Sequence, residues 1–223
     1  MKNQHEVAEQ LRQLTRLYIN AQKYRIKYGN MFQGKIQYIP YESEEWGIKF
    51  ASSAADYEKI EEKLLKEIKE TVKLHDWSKW LGTIKGVGPI IAGSIIGELD
   101  GAIYGSIEKD HKVNKSDLKG FGRKFESTAD LWSYAGWGVV DGKAQRKKRG
   151  EAASWNKYLK LTSYKFIDST IKSKGTYKPV YDNRKIYELQ NHPEFSKMYI
   201  HKRAMRYTIK KFLSDVRYNL ILN

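Results

Sequence analysis

The sequence predicts a mostly α-helical protein, with an antiparallel pair of coiled-coil helices leading into a helical domain built on a helix-hairpin-helix. Three observations predict it. Val7, Leu11, Leu14, Tyr18 and Ala21 recur at alternating steps of four and three residues, the period of a coiled-coil seam. Tyr57, Ile60, Leu64, Leu65, Ile68 and Val72 form a second apolar stripe, with Glu61, Glu62, Lys63, Lys66, Glu67 and Lys69 mostly off it, as an amphipathic helix requires. Residues 83–96, TIKGVGPIIAGSII, place two glycines around a valine before a proline and an apolar run.

Each element is justified in turn. Gly29 and Gly34 are expected to end the first helix. The stretch GKIQYIPYESEEWGIKF, with Pro40 and alternating apolar residues, reads as a small β-hairpin or an ordered loop, and the second helix resumes near Asp56. Residues 1–78 therefore form one unit, a coiled-coil helical hairpin with an insert over 29–55, and residues 79–223 a second, nucleic-acid-binding unit. The coiled-coil seam can be filled within the chain or by a second copy. A homodimer through Val7, Leu11, Leu14 and Tyr18 is the expectation.

In the second unit Leu81, Ile84, Gly86, Val87, Gly88, Ala92, Ile95 and Ile96 fit the helix-hairpin-helix pattern. Gly86 and Gly88 let the chain turn sharply and let backbone N–H groups approach a phosphate. Pro89 suits the first turn of the following helix, whose N-terminus attracts an anion. Such a hinge grips backbone and reads no sequence. The glycine- and lysine-rich stretch GAIYGSIEKDHKVNKSDLKGFGRKF reads as a loop-rich insert. Ser127 or Thr128 caps a short helix through Leu131, Trp132 and Tyr134, ended by Gly136 and Gly138. Trp132 and Trp137 are assigned to the core. The acid-free run KAQRKKR follows, then a helix with Trp155, Leu159, Phe166 and Ile167 apolar and Lys157, Lys160 and Lys165 basic. The last helix carries Ala204, Ile209, Phe212, Leu213, Val216, Leu220 and Ile221 on one side and Lys202, Arg203, Arg206, Lys210 and Lys211 on the other.

Composition narrows the function. The 223 residues carry a formal net charge of +15, with 16 tyrosines and 6 tryptophans. Such an excess repels itself until a polyanion neutralises it, so nucleic acid is the first partner class and an anionic membrane surface the second. No run of about 18 apolar residues occurs, which argues against a membrane span, and the polar N-terminus does not read as a signal peptide. Without cysteine there is no disulfide framework or thiolate metal site, and the five histidines lack metal-ligand spacing. Cations interleaved with aromatic rings suit a backbone-tracking groove with stacking platforms. The candidate contacts are Lys85, Gly86, Val87 and Gly88 at the hinge, Lys143, Arg146, Lys147, Lys148 and Arg149 in the basic loop, Trp155, Asn156, Lys157 and Lys160 after it, and Lys202, Arg203 and Arg206 on the last helix.

The segments GVGPIIAGSIIGEL, FESTADLWSYAGW and DGKAQRKKRGEAASWNKYLKL, in that order, resemble the C-terminal half of the RNA-guided serine/DEDD insertion-sequence transposases. Phe125, Leu131, Tyr134, Ala135, Gly136, Gly142, Gly150, Asn156, Tyr158 and Leu159 have counterparts there, and the resemblance covers roughly residues 55–170. The chain is more distantly similar to the Nop domain of box C/D RNA–protein complexes. As a stand-alone chain it resembles the compact, nuclease-free Tas proteins of tandem-interspaced-guide-RNA (TIGR) systems. The resemblance implies a Nop-like domain, a guide RNA and a target DNA as partners, and a cytoplasmic or nucleoid-associated protein encoded by a prokaryote, phage or mobile element, with or without a separate nuclease.

Two departures bear on activity. Residues 1–54 are too short and too helical for the sheet-based nuclease domain of those transposases. Asp141-Gly142 stands where they carry a nucleophilic serine, and an aspartate cannot replace the hydroxyl. Ser133 and Ser154 lie elsewhere, and Glu98 and Asp100 read as helix-end residues. The expectation is RNA-guided DNA recognition without cleavage, metal or cofactor. The alternatives are an unguided double-stranded DNA binder or transposase-derived recombination accessory, a residual nuclease using Asp141 or Asp130, and a structural dimer with incidental charge.

Overall fold

The computed structural model describes residues 3–38, 44–104, 125–147 and 149–222. Among them are eight α-helices: α1 (Gln4–Tyr38), α2 (Glu44–Val72), α3 (Trp77–Gly82), α4 (Pro89–Tyr104), α5 (Thr128–Tyr134), α6 (Lys157–Lys172), α7 (Lys178–Asn191) and α8 (Lys197–Val216). One antiparallel hairpin, β1 (Val139–Val140) and β2 (Lys143–Ala144), separates α5 from α6. A π-helical turn, Arg217–Ile221, extends α8. The mostly α class with a small hairpin is therefore as expected. Most of the glycine- and lysine-rich stretch, residues 105–124, lies outside the described residues, as does Lys148.

α1 and α2 are antiparallel. Gln4 reaches Leu74, Arg25 pairs with Glu61 at 2.6 Å, and Tyr28 stacks on Phe50 and Tyr57. The insert differs from expectation: residues 29–38 continue α1 and residues 44–55 belong to α2. A mid-helix glycine costs about 1 kcal/mol, and the aromatic stack between the two helices offsets that cost around Gly29. The hairpin lies instead at 139–144, around Asp141-Gly142, with Val139 opposite Ala144 and Val140 opposite Lys143. Asp141 and Gly142 both have positive φ, 51° and 72°. That is the requirement of a two-residue type I′ turn, which Asp-Gly satisfies well.

α3 and α4 flank residues 83–88, the position expected for the helix-hairpin-helix turn, and Pro89 opens α4. Gly86 takes a φ of 107°, and a Cβ there would lie 2.9 Å from Thr170 Oγ1. The hinge is also tied to the turn between α6 and α7. Lys85 N–H donates to Thr176 Oγ1 at 2.9 Å, and Thr176 N–H donates to Lys85 O at 2.9 Å.

α4 is buried on nearly every face and crosses α1 closely. At Gly97 a Cβ would stand 2.5 Å from Arg12 N and 2.6 Å from Arg12 Cα; at Gly93 it would press on Thr15, Ile68 and Val72. The hydrophobic core continues from Val7 in α1 to Leu220 in the last turn. On the far side of α4, Phe166 of α6 stacks on Phe212 of α8 at 3.7 Å, and Tyr177 meets both edge-on. Among the described residues no helix is long and apolar enough to cross a membrane.

The coiled-coil seam is filled within the chain. Val7 and Leu11 have no exposed surface, and Leu14 and Tyr18 are buried beside them in the same cluster as Ile68, Val72 and Ile95. Dimerisation through these four side chains would require opening the core, which corrects the expected interface. Leu11→Ala therefore acts on folding. A loss of about 3 kcal/mol is expected in urea unfolding followed by circular dichroism, with light scattering below the transition unchanged from wild type.

Candidate nucleic-acid interface

The site is built outward from the C-terminus of α5. Ser127 caps that helix by accepting from Asp130 N–H at 3.1 Å. Gly136, with φ 76°, ends it. Gly136 N–H donates to Ser133 O at 3.1 Å and Trp137 N–H to Trp132 O at 2.7 Å, the paired bonds of a Schellman motif. The chain then passes through Trp137 into the hairpin. Arg206 of α8 fixes this turn, its Nη2 donating to Trp137 O at 2.6 Å and Gly138 O at 2.7 Å.

Asn156 sets the direction of α6. Its Oδ1 accepts from Tyr158 and Leu159 N–H, capping the helix. Its Nδ2 donates to Glu98 Oε2 at 2.6 Å and to Tyr134 Oη at 2.8 Å. Glu98 is 1% exposed and also receives Arg16, through Nε at 2.6 Å and Nη2 at 2.8 Å. Asn156 is thus occupied in holding the fold rather than facing a ligand. Asp100 is buried likewise and accepts from His75 Nε2 at 3.0 Å, because His75 Nδ1 accepts from Trp77 N–H. Glu98 and Asp100 serve separate networks, and among the described residues no group of three or more acids and histidines is arranged to hold a metal.

Between the hairpin, α6 and α8 lies a groove of about 1220 Å³. It brings together Lys143, Arg146 and Lys147 from the hairpin side, Trp155 and Lys160 around the start of α6, and Lys202, Arg203 and Arg206 from α8. None of the described residues lining it is acidic. Gly136 admits Trp155 and Lys160, since a Cβ there would meet both at 2.8 Å. Lys160 Nζ stands 4.1 Å over the Trp155 ring. Burial, followed by the neighbouring charge of Arg206, lowers the Lys160 pKa. A bound anion would favour the charged ammonium and so oppose this shift.

Other candidates lie elsewhere. Arg149 is exposed but does not line the groove, and Lys157 folds over Tyr158 at 5.0 Å. Lys85, Gly86, Val87 and Gly88 sit at the separate hinge. There Gly88, Pro89, Ile90 and Ile91 border a smaller pocket of about 370 Å³ with Lys165 and Gln22. Trp137 is 4% exposed, in keeping with its assignment to the core, while Trp132 is half-buried and donates its indole N–H to Lys210 O at 3.0 Å.

Tyr164, Tyr199 and His201 also line the groove and were not among the candidate contacts. Tyr164 follows Lys160 by four residues and Tyr199 precedes Arg203 by four, so helical spacing from the basic candidates is the signal that finds them. Sequence reasoning also missed α7. Buried Glu188 on that helix receives Arg184 Nε at 2.8 Å and Arg203 Nε at 2.6 Å, while Arg184 lies between the rings of Tyr187 and Tyr207. The chain matches no family model, no curated protein and no solved structure.

Burial pushes the Glu188 carboxyl up, but the hydrogen bonds from Arg203 and Arg184 outweigh it and hold the group below the usual carboxylate range. The stability it contributes is complete above the unfolded value of about 4.3 and fades as pH falls through the lower folded value. Glu188→Gln should lose about 3 kcal/mol at pH 7 by leaving two arginines without their anion. The gap to wild type should narrow in denaturant titrations below about pH 4.

Proposed function

We propose that this protein binds nucleic acid without cutting it, holding single-stranded RNA in the groove between the hairpin, α6 and α8. One observation carries the reading: seven lysines and arginines and four aromatic side chains line a single concavity that no described acid enters. Cations on flexible stems follow a phosphate chain, and exposed rings stack on bases irrespective of sequence. A concave site lined by rings suits an unpaired strand, whose unstacked bases are free to stack on those rings.

The helix-hairpin-helix supplies a second contact of different character. Its first intrahelical bond runs from Ala92 N–H to Gly88 O, so the amides ahead of Ala92 lie before the helical ladder begins. Lys85 is exposed beside them. We assign this hinge to duplex backbone. One site for a strand and one for a duplex suit a guide RNA that pairs with DNA, with base pairing selecting the sequence. The resemblance to the Tas proteins supports the same reading. Asp141 has a structural reason to be present, as the left-handed first residue of the hairpin turn, which supports binding rather than a relic of strand cleavage. The rival reading, an unguided duplex binder, rests on the hinge alone.

Replacing Lys143, Arg146 and Lys147 together with alanine tests this. These side chains are exposed, so thermal melting should stay near wild type. Each lost phosphate contact lowers the salt slope by about 0.7 for a single strand, so the three together should lower it by about 2. Fluorescence anisotropy with a single-stranded RNA from 50 to 200 mM salt (roughly the range over which such contacts are lost) reads the slope. An unchanged slope would remove the groove from the RNA site, and tighter binding to duplex DNA than to RNA would favour the rival.

A further inference from the structure

We infer that the RNA path runs on from the groove, across α8, to a second stacking platform formed by Tyr187 of α7 and Tyr207 of α8 around Arg184. This rests on the groove being a single-strand site and adds a stretch of surface outside it. Arg184 Cζ lies 4.6 Å from the centre of the Tyr187 ring and 4.8 Å from that of Tyr207. Both rings remain 47% exposed. A stack that only joined two helices would gain most by burying its rings, and these keep nearly half of their surface open to solvent.

The platform is continuous with the groove. Tyr199, Arg203 and Tyr207 recur every four residues along α8, so they share one side of that helix, and the first two line the groove. Glu188, buried between α7 and α8, accepts from Arg203 Nε at 2.6 Å and from Arg184 Nε at 2.8 Å. One carboxylate thus sets both the guanidinium at the groove rim and the guanidinium between the tyrosines. From Tyr199 to Tyr207 the helix rises about 12 Å. A stacked strand rises about 3.4 Å per nucleotide, which puts the platform roughly three or four nucleotides beyond Tyr199.

The charge suits a phosphate chain. The acids of α7 and α8 are Asp182, Glu188 and Asp215. Asp182 accepts from Lys178, Glu188 from the two arginines, and Asp215 from Lys211 and Tyr177. Against them α8 alone carries Lys197, Lys202, Arg203, Arg206, Lys210 and Lys211. Each nucleotide of a single strand offers a flat face to a ring and an anion to a cation, the pairing that Tyr187, Tyr207 and Arg184 present at one spot.

The test binds the full chain to oligouridines of increasing length, from about 4 to about 16 nucleotides, and reads affinity by fluorescence anisotropy. Wild type should tighten once as the groove fills, and again by about 10-fold when the strand reaches the platform. Joint replacement, Tyr187→Ala with Tyr207→Ala, should match wild type on the shorter strands and lose the second gain. Tyr187→Phe with Tyr207→Phe keeps the rings and should retain it. Equal affinity for short strands shows that the groove of the alanine variant is intact, and a thermal melt checks its fold. No second gain in wild type, a gain retained by the alanine variant, or a loss spread equally over all lengths overturns the inference and leaves the groove as the whole RNA site. A lowered melting temperature with the gain retained marks the tyrosines as a tie between α7 and α8 only. Failure of wild type to bind at any length overturns the proposed function and this inference with it.

Discussion

The fold turns on one buried carboxylate. Glu98 sits inside α4 at 1% exposure and is the point where four helices meet. α1 reaches it through Arg16, α5 through the Tyr134 hydroxyl donating to Glu98 O at 3.3 Å, and α6 through its capping residue Asn156. Arg12 adds a second guanidinium, with Nε 3.7 Å from Oε2. Removing a carboxylate from water costs several kcal/mol, and one ion pair offsets that only when its geometry is good and the remaining lone pairs are satisfied. Here the guanidinium is bidentate and an amide takes a further lone pair. The net stability gained is small by that reasoning. What the arrangement fixes is the relative position of the helices, because a shift of any one of them would leave a buried polar group without its partner.

That placement shapes the groove. Asn156 can cap α6 and reach Glu98 together only if α6 begins beside Tyr134, whose carbonyl accepts from Asn156 N–H at 2.8 Å. Beginning there, α6 carries Lys160 and Tyr164 along the wall facing α8. Arg206 closes the opposite side by holding the backbone of Trp137 and Gly138. A core interaction thus determines where the surface cations gather and repel one another.

What was legible in the sequence follows from the same physics. The coiled-coil seam, the hinge and the apolar side of α8 were readable because each buries hydrocarbon at a regular period. α7 was not, since it buries only Tyr181 and Glu188. A helix anchored by a carboxylate between two arginines leaves almost no apolar stripe. The course of α1 beyond Gly29 was hidden because its partner aromatics lie in a distant segment. Asp-Gly between short β-prone runs is a hairpin signal, and the same two residues fall at the nucleophile position of the resembled transposases. Asn156 likewise stands one residue before an amphipathic run, where a cap belongs. About half of the candidate contacts converge on the groove because they were chosen by charge and ring type, the properties that a groove shares.

The central claim is that the groove between the hairpin, α6 and α8 holds a single strand. Ultraviolet crosslinking of a uridine-rich RNA to the whole protein, with the joined peptides mapped by mass spectrometry, tests it most directly. The account predicts adducts on Trp155, Tyr164 and Tyr199, which line that groove. Adducts confined to the hinge around Gly86 to Ile91, or to the outer face of the coiled coil, would contradict it.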